Sequence, residues 1–167
     1  MDKFFAEDVI LKRVIINFII IMEKEKYIKV LFKHDAFDIE SFEGAWVKIV
    51  NEEYILDNIL FYAKEYSLGD VISINKEHGE IFATGLIKES GHSTLRLLFN
   101  DADKIENVRK DLENRGCTSE ISNIDTLISV DIPPNVSYKA LLEYLKLGEE
   151  YKEWEYEEAC ISSYHQY

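Results

Sequence analysis

The chain is short of the residues that break, cross-link or link: two prolines, two cysteines and seven glycines in 167 positions. So little Pro and Gly leaves no room for a low-complexity linker, and no internal repeat is visible. Two cysteines, Cys117 and Cys160, are too few for a disulfide framework or a structural zinc site. Both sit in apolar, strand-like surroundings, where a free thiol behaves as a small core residue. Reduced thiols and a cytoplasmic location are expected. Basic residues are scarce as well. Nineteen Lys and Arg face thirty-two Asp and Glu, for a net charge of −13 and a pI of about 4.7. Binding of nucleic acid needs clustered Lys and Arg, so it is not expected.

Motifs of cofactor chemistry are missing too. There is no His-x-x-x-His, no Cys-x-x-Cys and no carboxylate-rich loop, so no metal is expected. Neither Gly-x-Gly-x-x-Gly nor a Walker-type loop occurs, so no cofactor is expected. Long hydrophobic runs are limited to Val9–Ile21, which Lys12, Arg13 and Asn17 interrupt. That run is too short and too broken to span a bilayer, and it lacks the basic start and cleavage site of a signal peptide. Residues 1–21 read as an extension, either an amphipathic helix or an added strand, or as an upstream segment before a start at Met22. No membrane association is expected.

What is present is apolar substance: 47% hydrophobic residues, 13% of the chain being aromatic. That suffices for one core or for two small lobes with a shared interface. Residues 22–90 read as β-rich. Tyr27–Phe32 and Ala45–Val50 alternate as strands, with Trp46 expected as a core anchor. Tyr54–Leu56 is a short strand, and Ile59–Leu68 a helical turn or compact loop. Val71–Ile74 and Glu80–Ile87 flank Lys76-Glu77-His78-Gly79 as a hairpin, with glycine taking the unusual φ. Several short strands and few helices predict a small bent sheet or partial barrel.

Residues 91–167 read as strand, helix, two strands, helix, strand. Leu95, Leu97 and Phe99 share one side of the first strand. Asn100 and Asp101 offer an N-cap, Ile105, Val108 and Leu112 recur at helical spacing, and Gly116 sits at C′. Cys117–Ile121 and Thr126–Ile132 are strands, and Pro133-Pro134 ends the second. Ser137 caps a second helix, with Val136 and Leu141 as a staple, Leu141, Leu142 and Leu145 as the buried stripe, and Gly148 as its end. Trp154 and Tyr156 mark a last strand. The order is that of a ferredoxin-like βαββαβ half, so the fold expected is α+β, with the two halves forming one compact unit.

Chemistry concentrates at Ser90-Gly91-His92-Ser93-Thr94-Leu95-Arg96. Histidine titrates near neutrality, Ser93 could be activated by it, and Arg96 could clamp a carboxylate or phosphate. Asp57 or Asp70 could orient the imidazole. The alternative is a tight turn whose polar groups satisfy backbone atoms, with Arg96 paired to Asp70 or Asp131. Between Glu149 and Glu158, six glutamates interleave with aromatic residues. Tyr151, Glu153, Trp154, Glu155 and Tyr156 could form a docking edge for a basic protein, or a strand with aromatics inward and glutamates in water.

Taken together, Trp46, Leu56-Asp57-Asn58-Ile59 with Phe61 and Ala63, Leu68-Gly69-Asp70-Val71, and Gly91-His92-Ser93-Thr94 with Arg96 resemble the uncharacterised bacterial family catalogued as domain of unknown function 4265. The resemblance continues through Val130-Asp131-Ile132-Pro133 and Trp154, Tyr156 and Glu157. Leu60 departs from the pattern, which places a proline there. The resemblance implies a fold and a set of marked positions, and no reaction. Arg96, Asn58 and Asp57 are the candidates for ligand binding. Three functions follow from these readings. The first is an acidic protein-interaction domain, immunity- or antitoxin-like, for a basic protein partner. The second is a small hydrolase or transferase with His92 as general acid/base and Arg96 holding an anionic group at the seam between the halves. The third is a regulatory domain for a small ligand.

Overall fold

In the computed structural model, residues 26–36 and 40–166 are described. The reading of residues 1–21 as helix or strand lies outside them. The first five strands form a closed barrel: β1 (Lys26–His34), β2 (Ser41–Val50), β3 (Glu53–Leu56), β4 (Val71–Glu77) and β5 (Glu80–Lys88). Neighbours pair antiparallel, and β1 closes the ring on β5 in parallel at Leu31 and Phe82. Period-two alternation selects the interior. Val30, Phe32, Ala45, Val47, Leu56 and Ile72 point in and are buried. The β4–β5 turn is two residues, His78 and Gly79, both at positive φ (51° and 90°), which matches the twist of the flanking strands.

Trp46 is not a core anchor. It falls on the outward set of β2 and is 52% exposed. Its neighbours Ala45 and Val47 take the inward positions, so one residue of register decides the face.

The second half contains β6 (Ser93–Phe99), α1 (Ile105–Asn114), β7 (Thr118–Ile121), β8 (Leu127–Ile132), α2 (Tyr138–Glu150) and β9 (Trp154–Cys160). The sheet order β7-β8-β6-β9 is antiparallel throughout and is the ferredoxin-like arrangement. Leu95, Leu97 and Phe99 of β6, with Ile128, Val130 and Ile132 of β8, meet Ile105, Val108 and Leu112 of α1 and Leu141 and Leu145 of α2. Asp101 accepts from the Asp103 amide and starts a short 3-10 turn ahead of α1. Ser137 stands at the N-cap of α2 without a side-chain bond. Gly148 does not end α2, which continues to Glu150. The glycine is there for packing: a Cβ on it would sit 1.8 Å from Cζ2 of Trp154.

The other face of this sheet turns to the barrel. Residues 57–70 form a loop with no regular helix, and it serves both halves. Leu60 and Ala63 complete the barrel core, and the ring of Tyr66 meets Phe32 edge-on at 5.3 Å. The loop's backbone is held from the sheet side: Ser129 Oγ donates to the Leu60 carbonyl (2.7 Å) and Arg96 Nη2 to that of Ala63 (2.6 Å).

Candidate functional site

The loop is pinned from the barrel by Glu43, which the sequence reading passed over. One carboxylate accepts three successive amides, from Phe61 (2.6 Å), Tyr62 (2.8 Å) and Ala63 (3.0 Å). Such a nest satisfies donors that a loop cannot satisfy itself. A lone glutamate in a strand carries no local signal of this, because the acceptor lies about twenty residues from its donors.

Arg96 is the centre of the seam. Its side chain is 8% exposed. The Nη2 donates to Ala63, Nη1 reaches Glu157 Oε2 at 2.8 Å, and Nε has no partner among the described residues. Glu157 gives its other oxygen, Oε1, to Lys64 Nζ at 2.6 Å. Burial works to raise the Glu157 pKa, but hydrogen bonds and charge from Lys64 and Arg96 outweigh it and hold the carboxyl below its usual range. The pairing of Arg96 expected with Asp70 or Asp131 is therefore replaced by Glu157. The reason is register: Arg96 lies directly opposite Glu157 on β9.

This cluster lines a cleft of about 580 Å3 between the loop and the sheet. Lys64, Arg96 and Glu157 share it with Phe61, Tyr62, Leu98, Leu127 and Tyr156, and with the carboxylates of Asp35 and Glu155. Its size and mixture of apolar walls with a few charges are those of a small-molecule site. Tyr62 is steadied by donating to Asn123 Oδ1 (2.6 Å).

His92 does not line that cleft. Its Nδ1 lies 2.8 Å from Oδ1 of Asp131, and the ring is 25% exposed. Asp131 is buried, and burial raises its pKa despite His92 and Thr118 beside it. Neither Asp57 nor Asp70 orients the imidazole. Asp70 accepts from the Ser67 amide and, at 2.8 Å, from that of Ser90, tying the loop to the turn before β6. Ser93 is not engaged by His92 either. Its hydroxyl lies 2.7 Å from His165 Nδ1 and accepts from the Ser162 amide (2.9 Å). His92 stands just before β6 and turns to Asp131, while Ser93, the first residue of β6, turns to His165, so the two are not paired as base and nucleophile. Gly91 turns the chain here at a φ of +92°, with Pro134 and Tyr164 packed where a side chain would stand.

Asn58 is structural: its Oδ1 accepts from the Trp46 amide at 2.6 Å. Asp57 lines a shallow hollow with Tyr27 and Trp46. Of the acidic segment, Trp154 is buried and donates to the Leu145 carbonyl (3.2 Å). Glu153 pairs with Lys104 at 3.0 Å. Tyr151 is 74% exposed, and Glu155 faces solvent. Tyr156 is half-buried against the second core. Among the described residues, no three His, Cys, Asp or Glu are placed to hold a metal, and no helix is long and apolar enough to cross a membrane.

A family model described as Domain of unknown function (DUF4265) matches residues 43–156. No curated protein matches the sequence. One similar solved structure, described as a novel crystal structure of a hypothetical protein from Neisseria gonorrhoeae, superposes with a TM-score of 0.69 at 23% identity. The match covers 84% of this chain and 97% of that one, and it concerns the fold alone.

Proposed function

Because the chain belongs to the family described as a domain of unknown function (DUF4265), we propose a function from its own residues: a binding domain whose site is the seam cleft and whose ligand is a small anion. One observation carries this. Two cations from different halves, Lys64 and Arg96, converge on the single carboxylate of Glu157 at the wall of an aromatic-lined cleft. In a chain of net charge −13, such a convergence marks where an anion is tolerated. The reading favours binding over catalysis, because the Ser93 hydroxyl beside His92 in the chain is held by His165 and the Ser162 amide and not by the His92–Asp131 pair.

The test is a thermal-shift panel of anionic, neutral and cationic metabolites. Anions raise the midpoint, and Lys64→Ala abolishes the rise. If no anion at millimolar concentration shifts the wild-type protein, the reading fails.

A second reading, docking of a basic protein, rests on Tyr151, 74% exposed within a run of glutamates. Exposed aromatics ringed by charge suit electrostatically steered contact. Low-salt capture from the native host should then yield a basic partner that Tyr151→Ala releases. A capture unaffected by that change removes this reading.

A further inference from the structure

Resting on the seam site just proposed, we infer that its ligand is a singly charged carboxylate on an aromatic or apolar body, whose carboxylate replaces that of Glu157 between Arg96 and Lys64. The two cations are spaced for one carboxyl group. Oε1 meets Lys64 Nζ at 2.6 Å and Oε2 meets Arg96 Nη1 at 2.8 Å, each oxygen taking one charge. Glu157 is the side chain that can leave. It is 46% exposed, whereas Arg96 is fixed by its bond to the Ala63 carbonyl.

The charge count around the cleft selects the class. Among the described residues, Arg96 and Lys64 face Asp35, Glu155 and Glu157. A phosphate dianion adds two negative charges where negative charge already prevails. A carboxylate that displaces another leaves the local sum unchanged once Glu157 moves into water. Because that exchange is electrostatically close to neutral, affinity comes from burying the rest of the ligand against Phe61, Tyr62, Leu98 and Leu127. Acetate is therefore a poor ligand, and fused aromatic carboxylates are better than single rings.

The experiment titrates acetate, benzoate, 2-naphthoate, 2-naphthamide and 2-naphthyl phosphate into the full chain, by calorimetry and amide chemical shifts. Three proteins are compared: wild type, Lys64→Ala and Glu157→Gln. Glu157 and Lys64 are both about half exposed, so these changes keep the fold. Affinity is expected to rise from acetate to 2-naphthoate, with shifts confined to residues 61–64, 96–98 and 156–157. The amide, which would leave Lys64 and Arg96 without a carboxylate on displacing Glu157, should bind more weakly than 2-naphthoate. Removing the competing charge in Glu157→Gln should tighten 2-naphthoate about tenfold, and Lys64→Ala should weaken it. Equal binding of amide and carboxylate, or no tightening in Glu157→Gln, overturns the inference. Tighter binding of 2-naphthyl phosphate, lost in Lys64→Ala, overturns the carboxylate class alone and keeps the anion site. Failure of every anion to bind wild type and Glu157→Gln overturns both.

Discussion

Replacing Gly148 by alanine should destabilise the protein, although alanine is the better helix former. Gly148 lies within α2, and a Cβ there would stand 1.8, 2.1 and 2.4 Å from Cζ2, Cε2 and Cη2 of Trp154. These are atoms of a rigid ring, so the indole itself must move. It is held on three sides: Nε1 donates to the Leu145 carbonyl, and the rings of Phe99 and Tyr144 lie 5.7 and 5.4 Å away. Losing a buried large aromatic costs about 3–5 kcal/mol, while alanine over glycine in a helix returns about 1 kcal/mol. The net expectation is a loss of about 2–4 kcal/mol, a large part of the ~5–15 kcal/mol available to a domain. Urea unfolding followed by near-ultraviolet dichroism and tryptophan emission measures it. Gly79→Ala is the control: a Cβ there meets nothing within 4 Å, and only its φ of +90° opposes it, at about 1–2 kcal/mol. A Gly148→Ala variant as stable as wild type would refute the packing argument.

Glu43→Ala should cost about 2–3 kcal/mol, because three amides lose a charged acceptor; hydrogen exchange should quicken at Phe61, Tyr62 and Ala63, and unchanged protection there would contradict the nest. Asp131 has a raised folded pKa, caused first by burial, against an ordinary value of 3.8. Its contribution to stability is therefore fully present below 3.8 and lost as pH rises through the folded value. Asp131→Asn should flatten that stretch of the pH–stability curve, measured by denaturation at stepped pH, and an unaltered slope would count against the assignment. Trp46 is exposed and Trp154 buried, so Trp46→Phe should remove the acrylamide-quenchable, red-shifted emission with a stability change within about 0.5 kcal/mol. A larger loss would mean Trp46 is packed after all.

The amino-acid order alone determined most of the secondary structure and both kinds of core face. Alternation in Leu95–Phe99 and Leu127–Ile132, and helical spacing in Ile105–Leu112, depend only on near neighbours along the chain. For that reason the βαββαβ half could be read from one sequence. In β2 the same alternation held, but the expectation of Trp46 as a core anchor chose the wrong set, because only barrel closure decides that Ala45 and Val47 face in. Pairings between distant segments were beyond local reading. Arg96 finds Glu157 because β6 and β9 lie side by side, and Glu43 finds the loop amides because the barrel curls around them. His92 and Ser93 look like partners in a line of text, yet where the turn at Gly91 enters β6 they part, His92 to Asp131 and Ser93 to His165. The site is therefore a property of the seam: its Lys64, Arg96 and Glu157 come from elements about thirty to ninety residues apart, and only folding gives them a common cleft.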